Sequence, residues 1–213
     1  MSSQTQDKPG GQRPVEAFAG TWVLVLAAGA SRRMGTPKQL LDWEGLPLVC
    51  RAVQSAQAVL GNRVLLITGC CAEKVQRATA SSGVRSLSNP DWSEGIASSV
   101  RTGVAALPAE CEGVLICSCD QPGVDESQLR SLLVHCQERR VVAASYAGTA
   151  GIPAWFPRSY FPALMQLVGE QGAKSLLMSS EDRIEVPMPR ARWDLDEPRD
   201  ISKVAREIGS ISP

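Results

Sequence analysis

The chain has 213 residues, 44% apolar and 21% charged, with 22 Lys+Arg balancing 22 Asp+Glu. That is the length of one domain with enough apolar residues for a core, which excludes wholesale disorder. Zero formal net charge leaves no basic surplus to hold nucleic acid, and no apolar run approaches the ~20 residues that a membrane helix needs.

Residues 1–20 (MSSQTQDKPGGQRPVEAFAG) are rich in Ser, Gln, Gly and Pro and lack an apolar signal core. They are expected to form a disordered N-terminal arm ahead of a domain over 21–213. Trp22–Leu26 is a buried-strand run, ended by Ala27-Ala28-Gly29. Leu48, Ala52, Ala56 and Val59 recur at helical spacing, and Val64–Thr68 is a second strand run. A weaker strand at Val84–Leu87 precedes a helical stripe of Ile96, Val100, Val104 and Leu107. Val114–Ser118 is the third strong strand run, followed by a stripe of Leu129, Leu132, Leu133 and Cys136. Val141–Ser145 is the fourth, and Phe161, Leu164 and Val168 form a helical stripe after Pro157. Ile184–Val186 is a last weak strand, and the segment Trp193–Ile208 ends in a helix.

Continuous rather than alternating apolar strands indicate a sheet covered on both faces. Strand–helix alternation then predicts an α/β domain of three layers with a mostly parallel sheet. In such sheets ligands bind beyond the carboxyl ends of the strands. The loops after Leu26, Thr68, Ser118 and Ser145 should therefore share a crevice. Seven cysteines without a Cys-x-x-Cys, and a single histidine (His135), argue against a zinc site. The odd count and the missing export signal fit a reducing cytoplasm, and most of these cysteines read as small buried hydrophobes.

The loop Leu26-Ala27-Ala28-Gly29-Ala30-Ser31-Arg32-Arg33-Met34-Gly35-Thr36-Pro37-Lys38 carries the most chemistry. Small residues let backbone N–H groups approach a phosphate, and Arg33 and Lys38 can add full charges to the same anion. It is not a Walker A loop, because five residues separate Gly29 from Gly35 and Thr36 follows. Nor is it G-x-G-x-x-G, since Ser31 stands at the second glycine. A Gly-containing turn with solvated arginines is the plainer reading of the same residues.

The pattern Leu-Ala-Ala-Gly-x-Ser-x-Arg-Met-Gly-x-Pro-Lys resembles the signature of the MobA-like nucleotidyltransferases, and within them the molybdenum cofactor cytidylyltransferases. Asn89-Pro90-Asp91-Trp92-Ser93-Glu94-Gly95-Ile96-Ala97-Ser98-Ser99 is similar to that family's N-P-x-W-x-x-G-M-x-x-S segment. Cys119-Asp120-Gln121-Pro122, Gly151-Ile152-Pro153, Gly169–Lys174 and Asp194–Asp200 match its later motifs in order. Ile96, Glu170, Lys174 and Glu197 depart from the pattern where the family has Met, Asp, Arg and Thr.

The resemblance implies a Rossmann-like nucleotidyltransferase fold. It implies transfer of a nucleoside monophosphate from a triphosphate to a phosphate acceptor, with release of pyrophosphate. Such chemistry needs positioning and charge neutralisation more than a covalent nucleophile. By resemblance, Ala27, Ala28, Gly29 and Ser31 hold the nucleotide, Arg33 and Lys38 neutralise its phosphates, and Asp120 binds Mg²⁺, with Asp196 as the second carboxylate and Asp194 as its competitor. Asp120 also reads as a turn residue before Gln-Pro, and Asp194 and Asp196 as caps of the last helix. Asn89, Gly95 and Ser98 would lie beside the nucleotide, although the same segment reads equally as a turn and a helix start. Trp92 reads as a packing residue that could instead stack on a base.

In the family Ala-Ala-Gly accompanies CTP and Ala-Gly-Gly accompanies GTP, so Ala28 implies CTP. The implied acceptor is the molybdopterin cofactor, with Tyr146–Phe156 and Glu170–Lys174 as acceptor walls, and a molybdenum hydroxylase as the eventual recipient. The same two segments also read as an ordinary connection and a helix start. Similar nucleotide loops serve sugar-phosphate and methylerythritol-phosphate transferases and NADPH-dependent oxidoreductases acting on nicotine blue. A non-catalytic carrier of molybdenum cofactor is a further alternative.

Overall fold

The computed structural model describes residues 18, 20–136 and 140–210; the expected arm, apart from Phe18 and Gly20, lies outside the described residues. The chain opens with strand β1 (Thr21–Ala27), then a two-stranded ribbon, β2 (Asp42–Trp43) and β3 (Leu46–Pro47), and helix α1 (Leu48–Leu60). There follow β4 (Val64–Thr68), α2 (Ala72–Thr79), β5 (Arg85–Ser88), α3 (Ile96–Ala105), β6 (Gly113–Ser118) and α4 (Glu126–Leu133). The last third holds β7 (Val142–Tyr146), β8 (Thr149–Pro157), α5 (Phe161–Leu164), α6 (Lys174–Ser179), β9 (Ile184–Pro187) and α7 (Pro198–Ser210).

Seven strands form one sheet in the order β5-β4-β1-β6-β8-β7-β9. Neighbours pair in parallel except at β8, which runs antiparallel to both β6 and β7. Side chains alternate across a strand, so Val23, Val25 and Ala27 of β1 enter one core while Leu24 and Leu26 enter the other. Helices α1 and α4 supply Val53 and Leu129 to the first, and α3 supplies Val100 to the second. Phe18 is buried in the first core. This is the mostly parallel three-layer α/β sheet that the apolar runs predict, now with a third, smaller cluster. In it Trp193, Leu195, Val204 and Ile208 pack α7 and the chain leading to it against Met34 and Trp43.

Three features differ from the sequence reading. Tyr146–Phe156, which also reads as an ordinary connection, is largely β8, and Trp155 and Phe156 are buried in mid-sheet. Pro153 argues against a central strand, but the β7–β8 register jumps from Ala143↔Ala154 to Ala144↔Gly151. Ile152 and Pro153 therefore form a bulge, where proline forfeits no ladder bond. Secondly, the Phe161–Val168 stripe is helical only to Leu164, and Val168 is 60% exposed. Thirdly, α2 and α6 are short helices that no long apolar stripe announces.

Among the described residues no helix is long and apolar enough to cross a membrane.

Candidate active site

The parallel strands β1, β4, β5 and β6 end on one side of the sheet, and the loops leaving β1, β5 and β6 line a cleft of about 590 Å³; of the four loops expected to share it, those after Thr68 and Ser145 contribute no lining residue. The loop after β1 contributes Ala28, Gly29, Ala30, Arg33 and Lys38 to its lining. The segment between β5 and α3 contributes Trp92 and Gly95, and α3 itself contributes Ser99. Asp120 enters from the end of β6, Asp196 from the strand-to-helix connection before α7, and Glu170 from the loop between α5 and α6.

Close approach of these loops depends on glycine at two points. A Cβ on Gly69, just after β4, would sit 2.6 Å from Trp92 Cβ and 2.7 Å from the Ala28 carbonyl. Gly95 has φ +124°, and a Cβ there would meet the Gly169 carbonyl at 2.4 Å. Only glycine adopts that backbone without strain.

The charged groups meet at one point. Lys38 Nζ lies 2.5 Å from Asp120 Oδ2 and 2.9 Å from Asp196 Oδ1. Arg33 Nη2 lies 2.9 Å from Asp196 Oδ2. The Leu195 N–H donates to the Asp120 carbonyl at 3.0 Å, which draws the two aspartates together across 76 positions of sequence (196 less 120). The Ser118 hydroxyl donates to the Asp120 carboxylate. Burial disfavours the Lys38 ammonium, but Asp120 and Asp196 overcome that and hold its pKa above the usual lysine value. The Lys38 hydrogen bond, with Arg33 assisting, in turn lowers that of Asp196.

Asp194 is in a different state. It retains solvent-exposed surface, yet crowding by protein atoms and the nearby Asp120 charge push its carboxyl up to about 7. Lys38 thus pairs with Asp196 and not with Asp194. Neither aspartate caps α7: the Asp200 carboxylate accepts the N–H groups of Asp196 and Glu197 at 3.1 and 2.8 Å.

The other expected site residues divide between wall and support. Gly95 lines the cleft; Asn89 and Ser98 are buried behind it. Asn89 Nδ2 donates to Ser98 Oγ at 2.8 Å and Ser99 Oγ at 3.0 Å, and its Oδ1 accepts from the Asp91 N–H. Ala27 packs in the first core. Ser31, in the left-handed region at φ +53°, accepts the Lys38 N–H on its hydroxyl at 3.0 Å. Trp92 is half-buried on the wall, where it abuts Gly69.

Three contributors were not anticipated. Gln39 is buried beneath the loop, Ser118 braces Asp120, and Arg101 pairs with Glu94 at 2.5 Å. Gln39 and Ser118 adjoin motifs and Glu94 lies within one, but residue type alone does not say which group each would hold. The seven cysteines are free thiols, and Cys117 and Cys119 are buried, with burial raising both pKa values.

A loop of small residues after a buried strand thus faces two carboxylates bridged by a lysine, and its backbone N–H groups and cations are donors that suit an anion. The model of the MobA-like NTP transferase domain family matches residues 23–184; the chain belongs to that family and is a nucleotidyltransferase. The nicotine blue oxidoreductase of Paenarthrobacter nicotinovorans is 31% identical over 163 residues, covering 72% of this chain and 79% of that protein. The molybdenum cofactor cytidylyltransferase of Escherichia coli K12 is 25% identical, with 83% and 91% covered. The crystal structure of a manganese complex of Rv0371c from Mycobacterium tuberculosis H37Rv superposes with a TM-score of 0.75 at 25% identity, covering 90% of this chain and 100% of that one.

Proposed function

We propose that this protein transfers CMP from CTP to the phosphate of molybdopterin cofactor, releasing pyrophosphate. The observation that carries the reading is the convergence of Lys38, Arg33, Asp120 and Asp196 beside the Ala28–Ala30 loop. Backbone N–H groups and two cations suit a triphosphate. The attacking atom is an oxygen of the acceptor's own ionised phosphate. It forms a bond to the α-phosphorus, the bond from that phosphorus to the bridging oxygen breaks, and pyrophosphate leaves with the electron pair. No protein base is required, in keeping with a cleft that contains no histidine.

The residues fit a divalent cation. One ammonium already bridges Asp120 and Asp196, so both carboxylates reach a common point, and hard oxygens suit Mg²⁺. Among the described residues no three His, Cys, Asp or Glu side chains cluster around a metal position, so the phosphates and water would complete the shell. When bound, Mg²⁺ supplies charge neutralisation on the transferring phosphoryl oxygens. Lys38 and Arg33 line the same cleft and would add their charges to those phosphates. Ala28 lines the cleft, and in this reading its methyl group would take space that the larger purine needs, which favours CTP over GTP. The eventual recipient would be a molybdenum hydroxylase.

The test is calorimetry with CTP, GTP, ATP and NADPH, each with and without Mg²⁺, followed by pyrophosphate release with molybdopterin. Mg²⁺-dependent binding of CTP and release of pyrophosphate are expected. Asp120→Asn should lower that turnover on the order of a hundredfold or more while leaving the fold intact. Metal-independent binding of NADPH would instead favour an oxidoreductase, like the Paenarthrobacter relative.

A further inference from the structure

Where β1 passes into its loop, three successive carbonyl groups, those of Ala27, Ala28 and Gly29, are each held by a protein donor. The Gln39 side-chain amide donates to the Ala27 carbonyl at 3.3 Å and the Gly29 carbonyl at 2.6 Å. The Cys70 N–H donates to the intervening Ala28 carbonyl at 3.1 Å. Gln39 is 1% exposed, and its own Oε1 accepts from the Ser31 hydroxyl at 3.3 Å, which fixes which end of the amide faces the carbonyls.

The peptide bonds here are trans. In a trans peptide the N–H points opposite to the carbonyl of the preceding residue. With the Ala27 and Gly29 carbonyls turned towards Gln39, the N–H groups of Ala28 and Ala30 point away from it. Ala28 and Ala30 line the cleft and Gln39 does not. We propose that Gln39 is the positioning residue of the nucleotide loop: its amide holds two carbonyls back so that the N–H groups of Ala28 and Ala30 face the cleft as phosphate donors. A cleft built for polyphosphate would otherwise present carbonyl oxygens, which repel it.

This inference rests on the nucleotide-binding reading above. Its test uses the whole chain with Gln39→Met, which keeps the bulk and removes the donors, and Gln39→Glu, which keeps the shape and replaces the donor with an acceptor. Binding of CTP and of inorganic triphosphate is measured by calorimetry, binding of Mn²⁺ alone by electron paramagnetic resonance, and amide hydrogen exchange over residues 27–31 by mass spectrometry. Gln39→Met should weaken both phosphate ligands about ten-fold, speed exchange in the loop, and leave Mn²⁺ affinity within about two-fold. Gln39→Glu should lose more than Gln39→Met despite its closer shape. A space-filling role predicts the reverse order, and that result overturns the proposal. Should Gln39→Glu fail to fold, unchanged exchange and affinity in Gln39→Met overturn it alone. If the wild-type chain binds neither phosphate ligand, the functional reading fails, while the exchange measurement still decides whether Gln39 holds the loop.

Discussion

Ala28 stands on the cleft wall with its carbonyl fixed by Cys70 and its side chain against Gly69. Its methyl group is the steric element that separates a pyrimidine from a purine in the proposed reading. Ala28→Gly should lower the CTP:GTP ratio of kcat/KM about ten-fold, the usual discrimination from one methyl-sized contact. Parallel rate measurements with both nucleotides check this, and an unchanged ratio would remove Ala28 from the specificity account. Individual residues were unevenly legible. Arg33, Lys38 and Asp120 stand in a recognisable order and meet in space. Gln39 and Ser118 are ordinary polar residues whose value lies in which carbonyl or carboxylate happens to stand opposite, and a sequence does not state that.

Among elements, α3 and the loop after α5 form the wall opposite Lys38. Glu94 takes Arg101 in two contacts, at 2.8 and 2.5 Å, and accepts the Gly169 N–H at 3.2 Å, while Arg101 also donates to the Leu167 carbonyl at 2.6 Å. Arg101, with the Gly169 N–H, lowers the Glu94 carboxyl to about 2 from an ordinary value of 4.5. A carboxyl with a depressed pKa in the folded state gives stability that is present above its unfolded pKa and is lost as pH falls through the folded one. Urea midpoints of the wild type should therefore exceed those of Glu94→Gln by a constant margin above about pH 5, and the margin should vanish as pH falls to about 2. A margin that does not change with pH would mean that shape, not charge, holds this loop. Glu94 and Arg101 stand seven positions apart, but the Leu167 and Gly169 backbone groups they hold lie 66 and 75 positions away, so no local period marks the clamp. The helix stripes and strand runs were legible where both faces are buried. Strand β8 was not, because its proline sits at a bulge that exists only against β7.

At the scale of the whole molecule, β8 closes the sheet between β6 and β7, and its Phe156 is fully buried in the second core with Leu24, Val114 and Ile116. Phe156→Ala should cost about 3–5 kcal/mol, read as a lowered denaturant midpoint. Because the sheet joins the cleft-bearing strands to β8, nucleotide binding and secondary structure should be lost in one transition; separate transitions would show two independent units. By itself the sequence determined the class of fold and singled out the loop after β1, since doubly buried strands are continuous apolar runs and the loop's small residues and cations are contiguous. Only the tertiary structure decided that Asp196 rather than Asp194 meets Lys38, that Asn89 and Ser98 brace the wall from behind, and that Gln39 underlies the loop. Those outcomes depend on the direction of side chains and carbonyls brought together from distant segments, and packing, not local pattern, sets that direction.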